Sequence, residues 1–144
     1  MKDRFCLWYA TCGCVGYLPF APGTFASALT CVGLYLFPPI DNPFVIAFAT
    51  LLGIICIGRV KDAEKDPGYI VIDEVIGMLV TTLGHSLSVG SLIKAFILFR
   101  AFDILKPYPI RKVERLPGAY GIIADDVLAA VFADLALFLW ERLA

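Results

Sequence analysis

Residues Ile70 to Leu79 read Ile-Val-Ile-Asp-Glu-Val-Ile-Gly-Met-Leu, an apolar run broken by two adjacent carboxylates. How this stretch is read decides the fold. Its opening, from Tyr69, is rich in β-branched residues and would suit a strand, but the strand signal is isolated. From Asp73 onward the spacing is helical: Glu74, Gly77 and Thr81 recur at roughly 3.6 residues and share one face. The expectation is a helix over about Asp73–Leu83 within an all-α bundle. An acid pair in such surroundings loses hydration, so a metal ion or a basic side chain has to meet it there.

The rest of the chain supports a bundle and points to lipid. Its 144 residues suit one compact domain, 1–144. The hydrophobic fraction of 60% and mean hydropathy of +0.82 exceed the roughly 45–50% apolar usage of soluble domains. A formal net charge of −1 gives no case for a nucleic-acid partner. No stretch reaches the roughly 18 uninterrupted apolar residues of a simple span. Pro43–Gly58 comes nearest, Ala28–Ile40 is shorter, and Val127–Trp140 is interrupted by Asp134. The expected architecture is therefore a single helical bundle embedded in the membrane through short spans, with polar groups turned inward.

Basic residues fall at Lys2/Arg4, Arg59/Lys61/Lys65, from Arg100 to Arg115, and at Arg142, while the loops PPIDNP and GHSLSVGS carry none. The positive-inside rule then turns those two loops outward and places 59–74 and 106–126 on the cytoplasmic side. The amino-terminal MKDRFCLWYATCGCVG lacks a small-x-small cleavage site and reads as part of the mature protein. Five cysteines, an odd number, do not suggest a disulfide framework.

Proline and glycine divide the chain into helical pieces. One helix is expected from a Thr24 cap toward Phe37, and another from the end of PPIDNP to near Gly58. After the polar loop KDAEKDPGY comes the helix at Asp73. A further helix runs from about Ser91 to Pro107, and the last begins near Asp125.

Several charged residues fall where helices begin or end. Asp73 reads equally well as an N-cap, whereas Glu74 lies on the face with Gly77 and Thr81. Asp125 and Asp126 repeat the arrangement, with Asp126, Ala130 and Asp134 following at four-residue steps. Two acidic helix starts on one side make a cradle for a hard cation, and Mg²⁺ favours one or two carboxylates with waters and phosphate oxygens. Arg100 and Asp103 could simply pair at i, i+3, and Lys106 suits a helix end. With Arg111, however, they bring phosphate-type donors close to the acids. The APGT turn adds a helix start at Thr24, whose free N–H groups suit an anion.

The stretches GYLPFAPGTFAS, DPGYIVIDEVIGM, FRAFDILKPYPIRKVE and GAYGIIADDVLAA, in this order, resemble the phosphatidylglycerophosphatase A family. The resemblance implies a Mg²⁺-dependent bacterial membrane phosphatase. Such an enzyme removes the terminal phosphate of phosphatidylglycerophosphate to give phosphatidylglycerol, with its active site on the cytoplasmic face of the inner membrane. It also implies that Glu74, Asp103, Asp125 and Asp126 are the acids of the metal site. Arg100, Lys106 and Arg111 would be phosphate contacts, and Thr24 a further wall. Catalysis would rest on Glu74, Asp103 and Asp126, with Asp126 orienting or deprotonating the attacking water.

Other chemistries fit less well. No cysteine is followed six positions later by arginine, and His85 is the only histidine. His85 lies in an outward loop and reads as structural or exposed. Beside Ser86 it lacks an orienting acid for a serine hydrolase. A lipid phosphotransferase would need an Asp-Gly motif that the chain does not contain. A cation-transport bundle lined by Glu74, Asp103 and Asp134 is the other alternative, but the basic loop KPYPIRKVER suits an anionic headgroup better.

Overall fold

The computed structural model describes residues 2–60, 63 and 67–144. Lys61, Lys65 and most of the polar loop before Pro67 lie outside the described residues. Among the described residues the elements are α1 (Lys2–Ala10), α2 (Pro22–Leu36), α3 (Pro43–Ile57), α4 (Ile72–Thr82), α5 (Val89–Leu105), α6 (Ile110–Val113) and α7 (Ala119–Leu143), with two short 3₁₀ turns and no strand. The β-branched Ile70–Ile72 thus leads into a helix rather than a sheet.

Proline sets two of the helix starts. Pro22 and Pro43 occupy first-turn positions of α2 and α3, where a missing N–H is harmless and φ is already helical. Asn42 caps α3 by accepting from Phe44 N at 2.8 Å. Ser88 caps α5 by accepting from Ser91 N at 3.3 Å, which begins that helix at Val89. Three expected starts differ. The residue preceding α2 is Ala21, so Thr24 is not its cap. Val71 occupies the position preceding α4, so Asp73 lies inside the first turn rather than at the cap. The last helix begins at Ala119, so Asp125 and Asp126 sit in its second turn rather than at its start.

α4 is the axle of the bundle. Ile72 and Ile76 join Ile57, Ile70, Ile122 and Ile123 in one core cluster. Met78 enters a second with Phe99, Ala129, Ala130, Ala133 and Leu137, and Leu79 a third with Leu34, Ile46 and Leu92. Close approach at this axle rests on Gly77, where an added Cβ would lie 2.4 Å from Phe99 Cζ and 3.4 Å from the Asp126 carbonyl. Small residues on α7 and the missing side chain on α4 let both helices close over the Phe99 ring.

The helices alternate in direction, which gives the bundle two ends. At one, the starts of α2 and α4 meet the end of α5. At the other, Thr82 at the end of α4 donates to Asp41, just before α3, at 3.4 Å. Among the described residues no helix is long and apolar enough to cross a membrane. α2 and α3 have 15 residues each, or about 22 Å of helix. Their outer faces are nonetheless apolar: Phe25, Leu29, Val32 and Leu36 on α2, and Phe44, Phe48, Leu51 and Ile55 on α3, are all exposed at helical spacing. A continuous apolar exterior of this kind marks a surface that meets lipid or protein.

The packing at Gly77 makes a prediction. Gly77→Val should destabilise the protein by about 1–3 kcal/mol through overpacking against Phe99. Gly33→Ala, whose Cβ would meet nothing within 4 Å, should be neutral or stabilising by up to about 1 kcal/mol. Thermal unfolding of the two variants in detergent checks the contrast.

Candidate metal and phosphate site

At the end where α2, α4 and α5 meet, one cleft of about 270 Å³ is lined by Asp73, Glu74, Asp103, Ile104, Lys106, Asp125 and Asp126, with Pro67, Gly68 and Ile70 at its edge. α4 contributes two acids in its first turn, α5 contributes Asp103 in its last, and α7 contributes its Asp pair from the second turn. The four acids the sequence singled out therefore share one space, although 51 residues separate Glu74 from Asp125.

Within that space the acids divide by partner. Asp103 forms an ion pair with Arg100 one helical turn back. Asp125 accepts from Lys106 Nζ at 2.7 Å through Oδ2, and from the Asp126 backbone N–H at 2.9 Å through Oδ1. Lys106 also donates to Glu114 at 2.8 Å. Asp73, Glu74 and Asp126 form a separate trio, each offering an oxygen within 4.8 Å of the others'. In the sequence Asp73 reads equally well as a cap, and its place in the trio shows there only through its adjacency to Glu74.

The electrostatics of the trio are unfavourable as they stand. Glu74 Oε2 and Asp126 Oδ2 are sealed from solvent without a hydrogen-bond partner, and so is Arg100 Nε. Burial pushes the Asp126 carboxyl well above its ordinary range, and the charges of Glu74, Asp103 and Asp125 add to the rise. Burial likewise raises Glu74, only partly offset by a hydrogen bond with Asp73 and by the Arg100 charge. Orphaned buried carboxylate oxygens cost free energy unless something satisfies them. An all-oxygen donor set fits a hard divalent cation rather than a soft one. The residues thus fit a metal ion of that kind.

The cations are held ready. Burial works to lower the Lys106 ammonium, but its hydrogen bonds to Asp125 and Glu114 prevail and raise it, so it stays charged. Lys106 adopts a left-handed backbone at φ 44, a strained conformation for a residue with a Cβ, which aims it back at α7. The APGT turn does reach the site, through Gly23 rather than Thr24. A Cβ on Gly23 would lie 2.3 Å from Glu74 Oε1, so this glycine backs the carboxylate directly. Thr24 is half-buried beside it and does not line the cleft. Arg111 is exposed and faces a neighbouring cleft with Lys106.

His85 and Asp134 lie elsewhere. At the opposite end, His85 contacts Asp134 Oδ1 at 2.7 Å through Nε2 and Glu141 Oε2 at 2.9 Å through Nδ1, and Ser91 donates to Glu141. This clamp accounts for Asp134, an acid in the interior of the last helix. It ties the α4–α5 loop and the start of α5 to the end of α7.

The fold and cleft together define a class: a small helical protein that gathers carboxylate oxygens and two cations around one polar space under an apolar exterior. Comparison with known proteins agrees. The family model for phosphatidylglycerophosphatase A (PgpA) matches residues 8–141, and the chain belongs to that family. It is 38% identical over 131 residues to the phosphatidylglycerophosphatase A of Haemophilus influenzae, covering 85% of this chain and 80% of the relative. The Escherichia coli phosphatidylglycerophosphatase A is 34% identical over 130 residues, covering 85% and 76%. A putative phosphatidylinositol-3-phosphatase of Bacteroides thetaiotaomicron is 33% identical over 134 residues, covering 85% and 84%. No solved structure matches.

Two predictions follow from the site and the clamp. Gly23→Ala should displace the Glu74 carboxylate and lower phosphatase turnover by roughly ten- to a hundredfold, with a melting temperature close to wild type. For His85, burial lowers the pKa but the hydrogen bonds with Glu141 and Asp134 raise it overall. Its stabilising contribution is then complete below the unfolded pKa of about 6.5 and is lost as pH rises through the higher folded value. The melting-temperature gap between wild type and His85→Ala should be wider near about pH 6 than near about pH 9.

Proposed function

We propose that this protein is a Mg²⁺-dependent phosphatidylglycerophosphatase, hydrolysing the terminal phosphate of phosphatidylglycerophosphate to phosphatidylglycerol and inorganic phosphate. The observation that carries this reading is the trio of Asp73, Glu74 and Asp126, in which Glu74 Oε2 and Asp126 Oδ2 are buried and unsatisfied, in a chain of this family. Both kinds of lipid in the relatives' names carry a phosphomonoester beyond a phosphodiester. A cation-transport bundle gains nothing from Lys106 and Arg100 beside the acids.

Asp73, Glu74 and Asp126 would hold the ion, with Asp103 and Asp125 completing the acidic wall. Bound there, a divalent cation supplies neutralisation of the phosphate's oxygens. Arg100, with an Nε–H still to be satisfied, and Lys106 bind the remaining phosphate oxygens and stabilise charge as the ester bond loosens. Asp126, buried and facing the cleft, orients the attacking water. Water adds at phosphorus, the ester P–O bond breaks, and one proton of the attacking water passes to the leaving oxygen, giving the lipid alcohol and inorganic phosphate. Asp103, fixed by Arg100, keeps that guanidinium at the cleft. Gly23 backs Glu74 on the side toward α2.

The exposed apolar faces of α2, α3, α5 and α7 suit seating in the bacterial inner membrane. The cleft and the cations Lys106, Arg111, Lys112 and Arg115 then lie at the lipid–water boundary on the cytoplasmic side. Purified protein in nonionic detergent should release phosphate from phosphatidylglycerophosphate with Mg²⁺ and stop on chelation. Asp126→Asn should stay folded and lose turnover by at least about a hundredfold. Wild-type turnover indifferent to chelator would contradict the metal assignment.

A further inference from the structure

Beside the acid cleft lies a second, basic one. It has a volume of about 570 Å³ and is lined by Leu105, Lys106, Pro107, Tyr108, Arg111, Lys112 and Arg115. The two clefts share Lys106, and they border each other along the end of α5, where Ile104 lines one and Leu105 the other. Their chemistry is opposite: five carboxylates line the first, and the second has no acidic lining residue.

Of the four cations of the second cleft, Lys106 is held by Asp125 and Glu114, and the other three are uncommitted. Arg111, Lys112 and Arg115 are exposed, and among the described residues none has a carboxylate within ion-pair distance. Glu114, the acid in their midst, is bound to Lys106. Ile110, between Pro109 and Arg111, is fully buried in the core with Phe99 and Met78. The short helix α6 is therefore anchored by its apolar side while its basic side faces out. Around the rim, Ile104, Leu105 and Tyr108 are exposed. Cations backed by exposed apolar side chains suit an anionic group carried at a lipid surface. Arginine and lysine together suit phosphate oxygens in particular.

We propose that this basic cleft binds the phosphodiester of the lipid headgroup while the acid cleft takes the phosphomonoester. The inference rests on the phosphatase reading above and deepens it. The substrate class becomes lipids that carry both groups, joined by a short polyol that passes Lys106. Lys112 and Arg115 act as specificity residues: they hold the diester and touch none of the reacting atoms. A diester held there fixes the register of the headgroup, so that the monoester reaches the acidic trio and the acyl chains lie over Ile104, Leu105 and Tyr108.

The test is the double variant Lys112→Gln/Arg115→Gln, assayed in nonionic detergent without other phospholipid. For phosphatidylglycerophosphate, KM should rise about tenfold or more with kcat little changed. The inhibition constant of phosphatidylglycerol, which carries only the diester, should rise by a similar factor. That of inorganic phosphate should stay the same. An unchanged KM, or an equal rise for inorganic phosphate, would overturn the assignment. So would an effect seen only in vesicles containing added phosphatidylserine, because the cleft would then be reading neighbouring lipids. Wild-type protein inactive on the lipid would instead sink the phosphatase reading itself.

Discussion

Carboxylates withdrawn from water without compensation are the constraint on which this structure turns. Glu74 and Asp126 each bury an oxygen that nothing among the described residues satisfies, and burial drives both carboxyls upward. A bundle optimised only for stability would replace such groups with apolar ones. Instead the chain builds toward them. Gly23 and Gly77 remove side chains so that α2 approaches Glu74 and α4 approaches α5 and α7. Lys106 accepts a left-handed backbone to reach Asp125. Strain and unsatisfied charge collected in one place are what a functional site requires and a core does not tolerate.

Most of the architecture was legible in the sequence because proline, glycine and helical spacing punctuate it. Pro43 and Gly58 bracket α3, and the Glu74–Gly77–Thr81 spacing reported a helix face that is indeed turned inward. The two carboxylate pairs of α4 and α7 could be grouped as expected helix starts, whereas Asp103 joined them only through the family resemblance. What spacing could not reveal was the start of α7 at Ala119, because acids in a second turn look like acids in a first one. Nor could it assign Asp73, which is indistinguishable from an N-cap until the neighbouring helix is in place. The role of Gly23, which touches Glu74 from another helix, and the pairing of His85 with Asp134 and Glu141 are long-range contacts with no local signature. Thr24 and Arg111 belong to motifs that reach the site, yet neither lines the acid cleft: Thr24 stands beside Gly23, and Arg111 faces the adjoining basic cleft.

The two ends of the bundle divide its labour. At one, the His85 clamp joins three segments through hydrogen bonds that serve packing. At the other, α4 and α7 present the trio, while α5 and the segment after it carry Arg100, paired with Asp103, Lys106, paired with Asp125 and Glu114, and the exposed basic side chains. Between the ends the exterior is apolar, although α2 and α3 are short for a bilayer of about 30 Å hydrocarbon thickness. An enzyme working on a lipid headgroup benefits from this layout, since its polar cleft opens close to where apolar surface gives way to charge.

Direct metal binding tests the central claim most sharply. Mn²⁺ is a spectroscopically visible hard cation that takes the same oxygen ligands, and its electron paramagnetic resonance signal changes on leaving water for a protein site. Titrated into the detergent-solubilised protein, Mn²⁺ should be taken up by wild type and displaced by excess Mg²⁺. The Glu74→Gln/Asp126→Asn protein should keep its helical circular dichroism and lose that uptake. Equal Mn²⁺ binding by the two proteins, or none by wild type, would contradict the account.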